Sequence, residues 1–318
     1  MTNPRPKVAV FGDMVLDMYT FGEVSRISPE APVPILEVTR REQRLGGSGN
    51  VVLNLCALEV DCVPFGRVGN DLHGKIVRAE LQKVGITSPN LINHENLPTI
   101  TKHRMVARNQ QVLRVDEESI EMLSESDETE IITRFIAEVD TFDVVVLSDY
   151  GKGFLSDGLL KKVIQISREH GKPVVVDPKG EDFSRYRGAT TITPNFKEAK
   201  LAAHRSRTLA EMAEHLLAQA DLSFLMLTRS EDGISHFKYC DGELEHQHFP
   251  VQVQEVTDVT GAGDTVVAVT ALAMALGWSI EKMCQACNLA GGYVVGHFGA
   301  ATIPRAELNA LLKKKIKS

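Results

Sequence analysis

Short runs that are apolar at every position, each closed by a polar or glycine residue, set the rhythm of the chain. They are residues 8–11 before Gly12-Asp13, 144–147 before Ser148-Asp149, 174–176 before Asp177-Pro178 and 224–227 before Thr228. Lacking any polar face, they predict strands buried on both sides, as in a parallel sheet. Between two of them, residues 157–170 place Leu159, Leu160, Val163, Ile164 and Ile166 on one helical stripe that Gly171 and Pro173 stop. Strand, helix, strand in repetition predicts a doubly wound α/β core, a mostly parallel sheet flanked by helices. Ligands of such sheets bind beyond the carboxyl ends of the strands, where Asp13, Asp149, Asp177, Asn195 and Thr228 fall.

Two segments break this rhythm. Residues 14–45 carry Pro29, Pro32 and Pro34 among alternating Val33, Ile35 and Glu37; residues 99–116 alternate through Lys102, Arg104, Val106, Arg108, Val112 and Arg114. Both predict strands of a small accessory sheet, a lid. A hairpin is predicted over 234–249, turning at Asp241-Gly242. With no internal repeat or linker, residues 1–318 are expected to form one domain, a core plus a lid.

The 318 residues are 43% apolar and 24% charged, enough to bury a core without disulfides or metal. A formal net charge of −7 argues against non-specific binding to nucleic acid or anionic membrane, so neither is an expected partner and any phosphate must be held locally. No run of about 18 apolar residues occurs and the first residues lead straight into a strand, so a cytoplasmic protein is expected. The five cysteines show no framework spacing. Cys284 and Cys287 form a C-x-x-C pair, but inside an apolar helical stretch and without a second pair for zinc.

The most informative stretch is Asp258-Val-Thr-Gly-Ala-Gly-Asp264, opening a helix apolar on nearly every side. The first-turn N–H groups of Gly261, Ala262 and Gly263 offer an anion hole at the positive end of the helix dipole. Asp264 beside it could accept a hydroxyl proton as a phosphoryl group arrives, or could simply cap the helix. Gly46-Gly-Ser-Gly-Asn50, with Asn54, brings backbone and amide groups for a ligand with hydroxyls. It is not a dinucleotide loop: Val52 stands at the third glycine position, and Arg44-Leu45 does not read as buried strand. Gly69 to Lys75 spells G-x-x-x-x-G-K but is followed by Ile76, without the hydroxyl that a P-loop gives Mg²⁺. Asp13 and Asp17, Asp177-Pro-Lys179 and Asn195-Phe-Lys-Glu198 suit hydroxyl binding and hydrated Mg²⁺, or are ordinary turn residues. His246 and His248 share a strand face and are expected to be solvated rather than metal-bound.

Together, the early Gly-Gly…Asn cluster, Asn195-x-x-Glu198 and Asp258-x-x-Gly-Ala-Gly-Asp264 resemble the PfkB/ribokinase family of sugar kinases, in order and spacing along nearly the whole chain. More narrowly, Ser25-Arg-Ile-Ser-Pro-Glu-Ala-Pro-Val-Pro34, Thr101-Lys102, Arg108-Asn-Gln-Gln111, Leu147-Ser-Asp-Tyr-Gly-Lys-Gly153 and Asp177-Pro-Lys-Gly180 are similar to those members that phosphorylate D-glycero-D-manno-heptose 7-phosphate at C1. The resemblance implies a ribokinase-like fold, ATP and Mg²⁺ as cofactors, and a homodimer paired through the lid. The product would be the 1,7-bisphosphate, a precursor of ADP-heptose for the lipopolysaccharide core. It implies Asp264 as the base, with Gly261, Ala262 and Gly263 as the anion hole for the γ-phosphoryl. Asn195 and Glu198 would organise the nucleotide phosphates and Mg²⁺, the metal held by Glu198 through water. Thr228 and Asp258 fall on the cofactor side, and a monovalent cation near Asp258 is left open. Asp13, Asp17, Gly46, Gly47 and Asn50 would grip the sugar. A dianionic sugar on an acidic chain needs local cations, for which Lys102, Arg104 and Arg108 on the lid and Lys179 are the candidates. Many such members continue into an adenylyltransferase, and that activity is not expected of these residues. Another sugar kinase of the same apparatus, or a non-catalytic sugar or nucleotide sensor, are the alternatives.

Overall fold

The structure is a computed structural model that describes residues 5–108, 110–251, 256–297 and 299–316; Asn109, in the 108–111 stretch singled out above, and the first four residues lie outside the described residues. In chain order the elements are β1 (Lys7–Gly12), β2 (Met14–Ile27), β3 (Pro34–Gly47), α1 (Ser48–Ala57), β4 (Asp61–Gly69), α2 (Leu72–Lys83), β5 (Leu91–His94), β6 (Ile100–Ala107), β7 (Gln110–Glu117), α3 (Glu125–Glu138) and β8 (Val144–Ser148). There follow α4 (Asp157–Glu169), β9 (Val174–Asp177), β10 (Thr191–Ile192), α5 (Phe196–Ala202), α6 (Leu209–Ala220), β11 (Phe224–Thr228), β12 (Ile234–Cys240), β13 (Glu243–Phe249), α7 (Ala262–Ala275), α8 (Ile280–Val295) and α9 (Arg305–Ile316).

Nine strands form one sheet in the order β13-β12-β11-β10-β9-β8-β1-β4-β5. All neighbours from β11 to β5 run parallel, and β12 and β13 add an antiparallel hairpin at one edge. Period-2 side chains let the interior strand β1 feed two cores. Val8 and Val10 of β1 pack with Leu55 of α1, Val267 of α7 and Cys287 of α8 on one face, while Ala9 and Phe11 pack with Phe135 of α3 and Leu160 of α4 on the other. Residues 264–273 of α7 are all buried, which is why that helix needs no polar stripe. No helix among the described residues is long and apolar enough to cross a membrane.

The lid is a separate four-stranded sheet in the order β3-β2-β6-β7. Asp17 stands opposite Arg44 on one side and Lys102 on the other, and Tyr19 opposite Glu42 and Arg104, so these residues share one face. The far end of β3 departs from the sequence expectation: Leu45 is buried, and the strand runs directly through Gly47 into α1. The mostly exposed residues of the outer part of β3 hide that buried end from a pattern reading. The G-x-x-x-x-G-K stretch is a helix start. Asp71 caps α2 by accepting from the Gly74 N–H at 2.7 Å, and also binds the Thr99 N–H and hydroxyl, both at 2.8 Å. The 234–249 hairpin turns at Asp241-Gly242, both with positive φ, and His246 stacks on Phe237 at 4.3 Å. Cys284 and Cys287 are buried in α8, and burial pushes both thiols well up.

Candidate active site

The carboxyl ends of the parallel strands and the amino end of α7 meet at a cleft of about 210 Å³. Asp149 and Tyr150 enter it after β8, Asp177 and Lys179 at and after β9, Asn195, Glu198 and Thr228 from the next two strand ends, and Gly261, Gly263 and Asp264 from α7. Gly261 caps α7 at φ 81° and ψ 1°, a left-handed conformation that turns the chain into the helix. The Ala262 N–H is engaged by the Val259 carbonyl at 3.3 Å, so the amides bordering the cleft are those of Gly261 and Gly263.

Asp264 is buried, and each of its oxygens holds one donor. Asn50 Nδ2 donates to Oδ2 at 2.6 Å and the Tyr150 hydroxyl to Oδ1 at 2.6 Å. Burial raises its carboxyl to about 6, against the pull of these two hydrogen bonds, and the charge of Asp17 pushes the same way as burial. Asn50 is set by its neighbours: Asn54 Nδ2 donates to its carbonyl at 2.9 Å, and Thr265 of α7 donates to Asn54 Oδ1 at 2.8 Å. Among the described residues, the Oδ1 of Asn50 is buried without a partner. Asp177 is also pushed well up, first by burial and then by Asp264 and Glu198.

On the other side of the cleft, Asn195 and Glu198 form a capping box on α5: Asn195 Oδ1 accepts from the Glu198 N–H at 3.0 Å, and Glu198 Oε2 from the Asn195 N–H at 3.1 Å. Lys179 Nζ lies 3.3 Å from the remaining oxygen, Glu198 Oε1. Among the described residues no three His, Cys, Asp or Glu side chains form a metal cage. Asp258 accepts from the Thr260 N–H (2.9 Å) and hydroxyl (2.7 Å) and from the Gly299 N–H (2.9 Å), which together hold it low despite partial burial.

On the lid side, Arg104 donates to Asp17, and its guanidinium sits 5.3 Å from the Tyr19 ring, with Arg44 on the same ring at 5.8 Å. Gly46 leaves the room that Asp17 occupies: a Cβ there would collide with its carboxylate. A Cβ at Gly47, where φ is 57°, would meet the Asp13 carbonyl at 2.5 Å. Asp13 is committed to the chain itself, accepting from the N–H groups of Lys152 (3.1 Å) and Phe154 (3.0 Å), and burial raises it. The structure thus brings Asp264, Asn50, Gly261 and Gly263 together, with Asn195, Glu198, Thr228 and Lys179 across the cleft and Asp17, Gly46, Lys102 and Arg104 on the lid. Lys179 lies with Glu198 rather than with the lid cations. Arg108 stands apart, exposed at the far turn of the lid against Glu23, roughly 20 Å from Asp17 at about 3.3 Å per strand residue. Tyr150, Tyr19 and Arg44 were not singled out by role from sequence. Tyr150 lies 114 positions from the carboxylate it binds, so no local spacing announces it.

The sequence profile of the pfkB family of carbohydrate kinases matches residues 5–306. The chain belongs to this family. This pfkB-family chain is similar to the bifunctional protein HldE of Wolinella succinogenes, 42% identical over 308 residues, 96% of this chain and 64% of that protein. It is similar also to the bifunctional protein HldE of Geobacter metallireducens, 43% identical over 303 residues, 94% of this chain and 61% of that protein. The chain therefore spans somewhat less than two thirds of these relatives. Its fold is that of a ribokinase from Arabidopsis thaliana, solved with ribose and ATP, at a TM-score of 0.74 with 21% identity, covering 98% of this chain and 99% of that one. It is shared with phosphofructokinase-2 from Escherichia coli, solved with potassium, at a TM-score of 0.78 with 17% identity, covering 98% of each chain.

Proposed function

We propose that this pfkB-family chain transfers the γ-phosphoryl group of ATP to the C1 hydroxyl of D-glycero-β-D-manno-heptose 7-phosphate, giving the 1,7-bisphosphate. The observation that carries the phosphoryl-transfer reading is Asp264, ionisable near neutrality and held by two donors beside the glycine-capped end of α7. The sugar is supported by the lid and strand-end motifs and by the 42% identity to bifunctional HldE proteins. In this reading Asp264 takes the hydroxyl proton as the phosphoryl group is displaced, and the amides of Gly261 and Gly263 receive the developing charge. Asp17 and Asn50 orient the sugar, and Arg104 with Lys102 meets its 7-phosphate. Lys179, beside Glu198, faces the nucleotide phosphates. The lid closes over the sugar and excludes water.

Glu198 and Asp177 line the cleft and are oxygen donors of the kind Mg²⁺ prefers, which it takes one or two at a time beside water and nucleotide phosphates. When bound, Mg²⁺ neutralises phosphate charge; Glu198 would hold it through water. A monovalent cation beside Asp258 would share that carboxylate with the three protein donors that already bind it. Val112, Leu113 and Val115 leave apolar surface on β7, which supports a homodimer paired through the lids.

Three outcomes are expected. A base must be ionised, so kcat/KM should fall about tenfold per pH unit as pH drops below about 6; a flat profile from pH 5 to 8 would exclude Asp264 as the base. Arg104→Ala should raise KM for the phosphorylated sugar by roughly 10- to 100-fold, as expected for one charged hydrogen bond. Steady-state kinetics showing an unchanged KM would remove Arg104 from the phosphate site. The reaction itself is tested by ³¹P NMR of the product: a second phosphate resonance coupled to the anomeric proton is expected, and phosphorylation at any other carbon rejects the reading.

A further inference from the structure

Both oxygens of Asp264 are occupied, and one of the two donors comes from a loop with an unusual number of anchors. The Tyr150 hydroxyl reaches Asp264 Oδ1 at 2.6 Å. Its loop, between β8 and α4, is pinned on each side of the ring. Asp149 Oδ1 accepts from the Gly151 N–H at 2.7 Å, and the two oxygens of Asp13 accept from the Lys152 and Phe154 N–H groups at 3.1 and 3.0 Å. Lys152 Nζ is held by Glu118 at 2.6 Å. Gly151 (φ 65°) and Gly153 (φ 98°) make left-handed turns, and the Glu121 carbonyl leaves no space for a Cβ at Gly153. Backbone bonds at Gly151, Lys152 and Phe154, with the Lys152–Glu118 ion pair, fix where the Tyr150 hydroxyl sits.

We propose that Tyr150 is the positioning residue for the base: its hydroxyl, placed by the Asp13-anchored loop, aims the carboxylate of Asp264 and stabilises its ionised form. The inference rests on the reading of Asp264 as base. It also gives Asp13 its duty within the chain, because both oxygens of the carboxylate that the resemblance matched to sugar binding hold this loop. The groups facing Asp264 are Asn50 from α1, Asp17 from β2, Tyr150 and Asp149 from this loop, Asp177 from β9, and Glu198 with Lys179 across the cleft. The Tyr150 hydroxyl is itself pushed far up by burial and by Asp264, Asp177 and Asp17, so it remains a protonated donor wherever the enzyme works.

Tyr150→Phe keeps the ring and removes only the donor. Loss of one hydrogen bond to a charged group should move the acid limb of kcat/KM up by about one pH unit. It should lower kcat near pH 8 by roughly tenfold through misplacement, with sugar KM changed less than about threefold. The ¹³C titration of the Asp264 carboxyl in the unliganded protein should show the same upward movement, independently of turnover. Site-specific 3-fluorotyrosine at position 150, a stronger donor with the ring retained, should move both in the opposite direction and keeps the test open if the Phe variant folds poorly. Movement of the titration and the acid limb together supports the assignment. An unmoved carboxyl titration overturns it directly. A carboxyl that moves while the kinetic profile does not also overturns it, and in that case the fault lies in Asp264 as base rather than in its bond to Tyr150.

Discussion

Asp264→Asn is expected to lower kcat by about 10²- to 10⁴-fold, the range for removal of a general base, while the protein remains folded. The same change should stabilise the fold. The folded carboxyl is raised from 3.8 to about 6, so the ionised form is disfavoured by folding. Its cost is absent below about pH 4, grows as pH rises towards 6 and is complete above it. At neutral pH that amounts to roughly 3 kcal/mol, at about 1.4 kcal/mol per pH unit. The amide can be accommodated, because Asn50 Oδ1 is buried without a partner among the described residues and becomes an acceptor if Asn50 turns its own amide. Thermal unfolding at pH 7.5 should therefore show an upward shift of a few degrees together with the loss of turnover. A variant that loses both activity and stability would show instead that the carboxylate serves to tie Asn50 and Tyr150 together.

Gly261→Val should be nearly as damaging, with kcat down by roughly 10²- to 10³-fold, as for the loss of an anion-hole donor. Gly261 adopts φ 81°, where a β-branched residue is strongly disfavoured, and a Cβ there would come within 2.8 Å of Asn50 Nδ2, the donor that holds Asp264. Substitution thus disturbs the helix cap and the base together. Gly263→Ala is the informative contrast, since a Cβ at Gly263 meets nothing among the described residues within 4 Å. Comparing kcat of the two variants by steady-state kinetics checks this, and equal losses would contradict the geometry.

What the chain disclosed before its structure was known follows physical lines. Strands buried on both faces, such as residues 8–11 and 144–147, announce themselves because no position is polar, and so the parallel sheet and its carboxyl-end site were legible. α7 was legible because a glycine turn precedes a helix buried along residues 264–273. The end of β3 was not: alternation that suits a lid strand continues into Leu45, whose burial depends on contacts with other elements. The partners of Asp264 were hidden for the same reason. Asn50 lies 214 positions away and Tyr150 lies 114, and a hydrogen bond across such separations leaves no periodicity. The four cations proposed for one phosphate looked equivalent as a charge pattern; only the fold separates Arg104, on the lid against Asp17, from Lys179 beside Glu198 and from Arg108 at the distant turn.

The substrate is tested most directly by ADP release with Mg-ATP across D-glycero-D-manno-heptose 7-phosphate, fructose 6-phosphate, fructose 1-phosphate, ribose and no sugar. Turnover confined to the heptose phosphate is expected. Turnover on another of these sugars would keep the phosphoryl-transfer site and discard the heptose, and ADP release on none of them would contradict the kinase reading of this site.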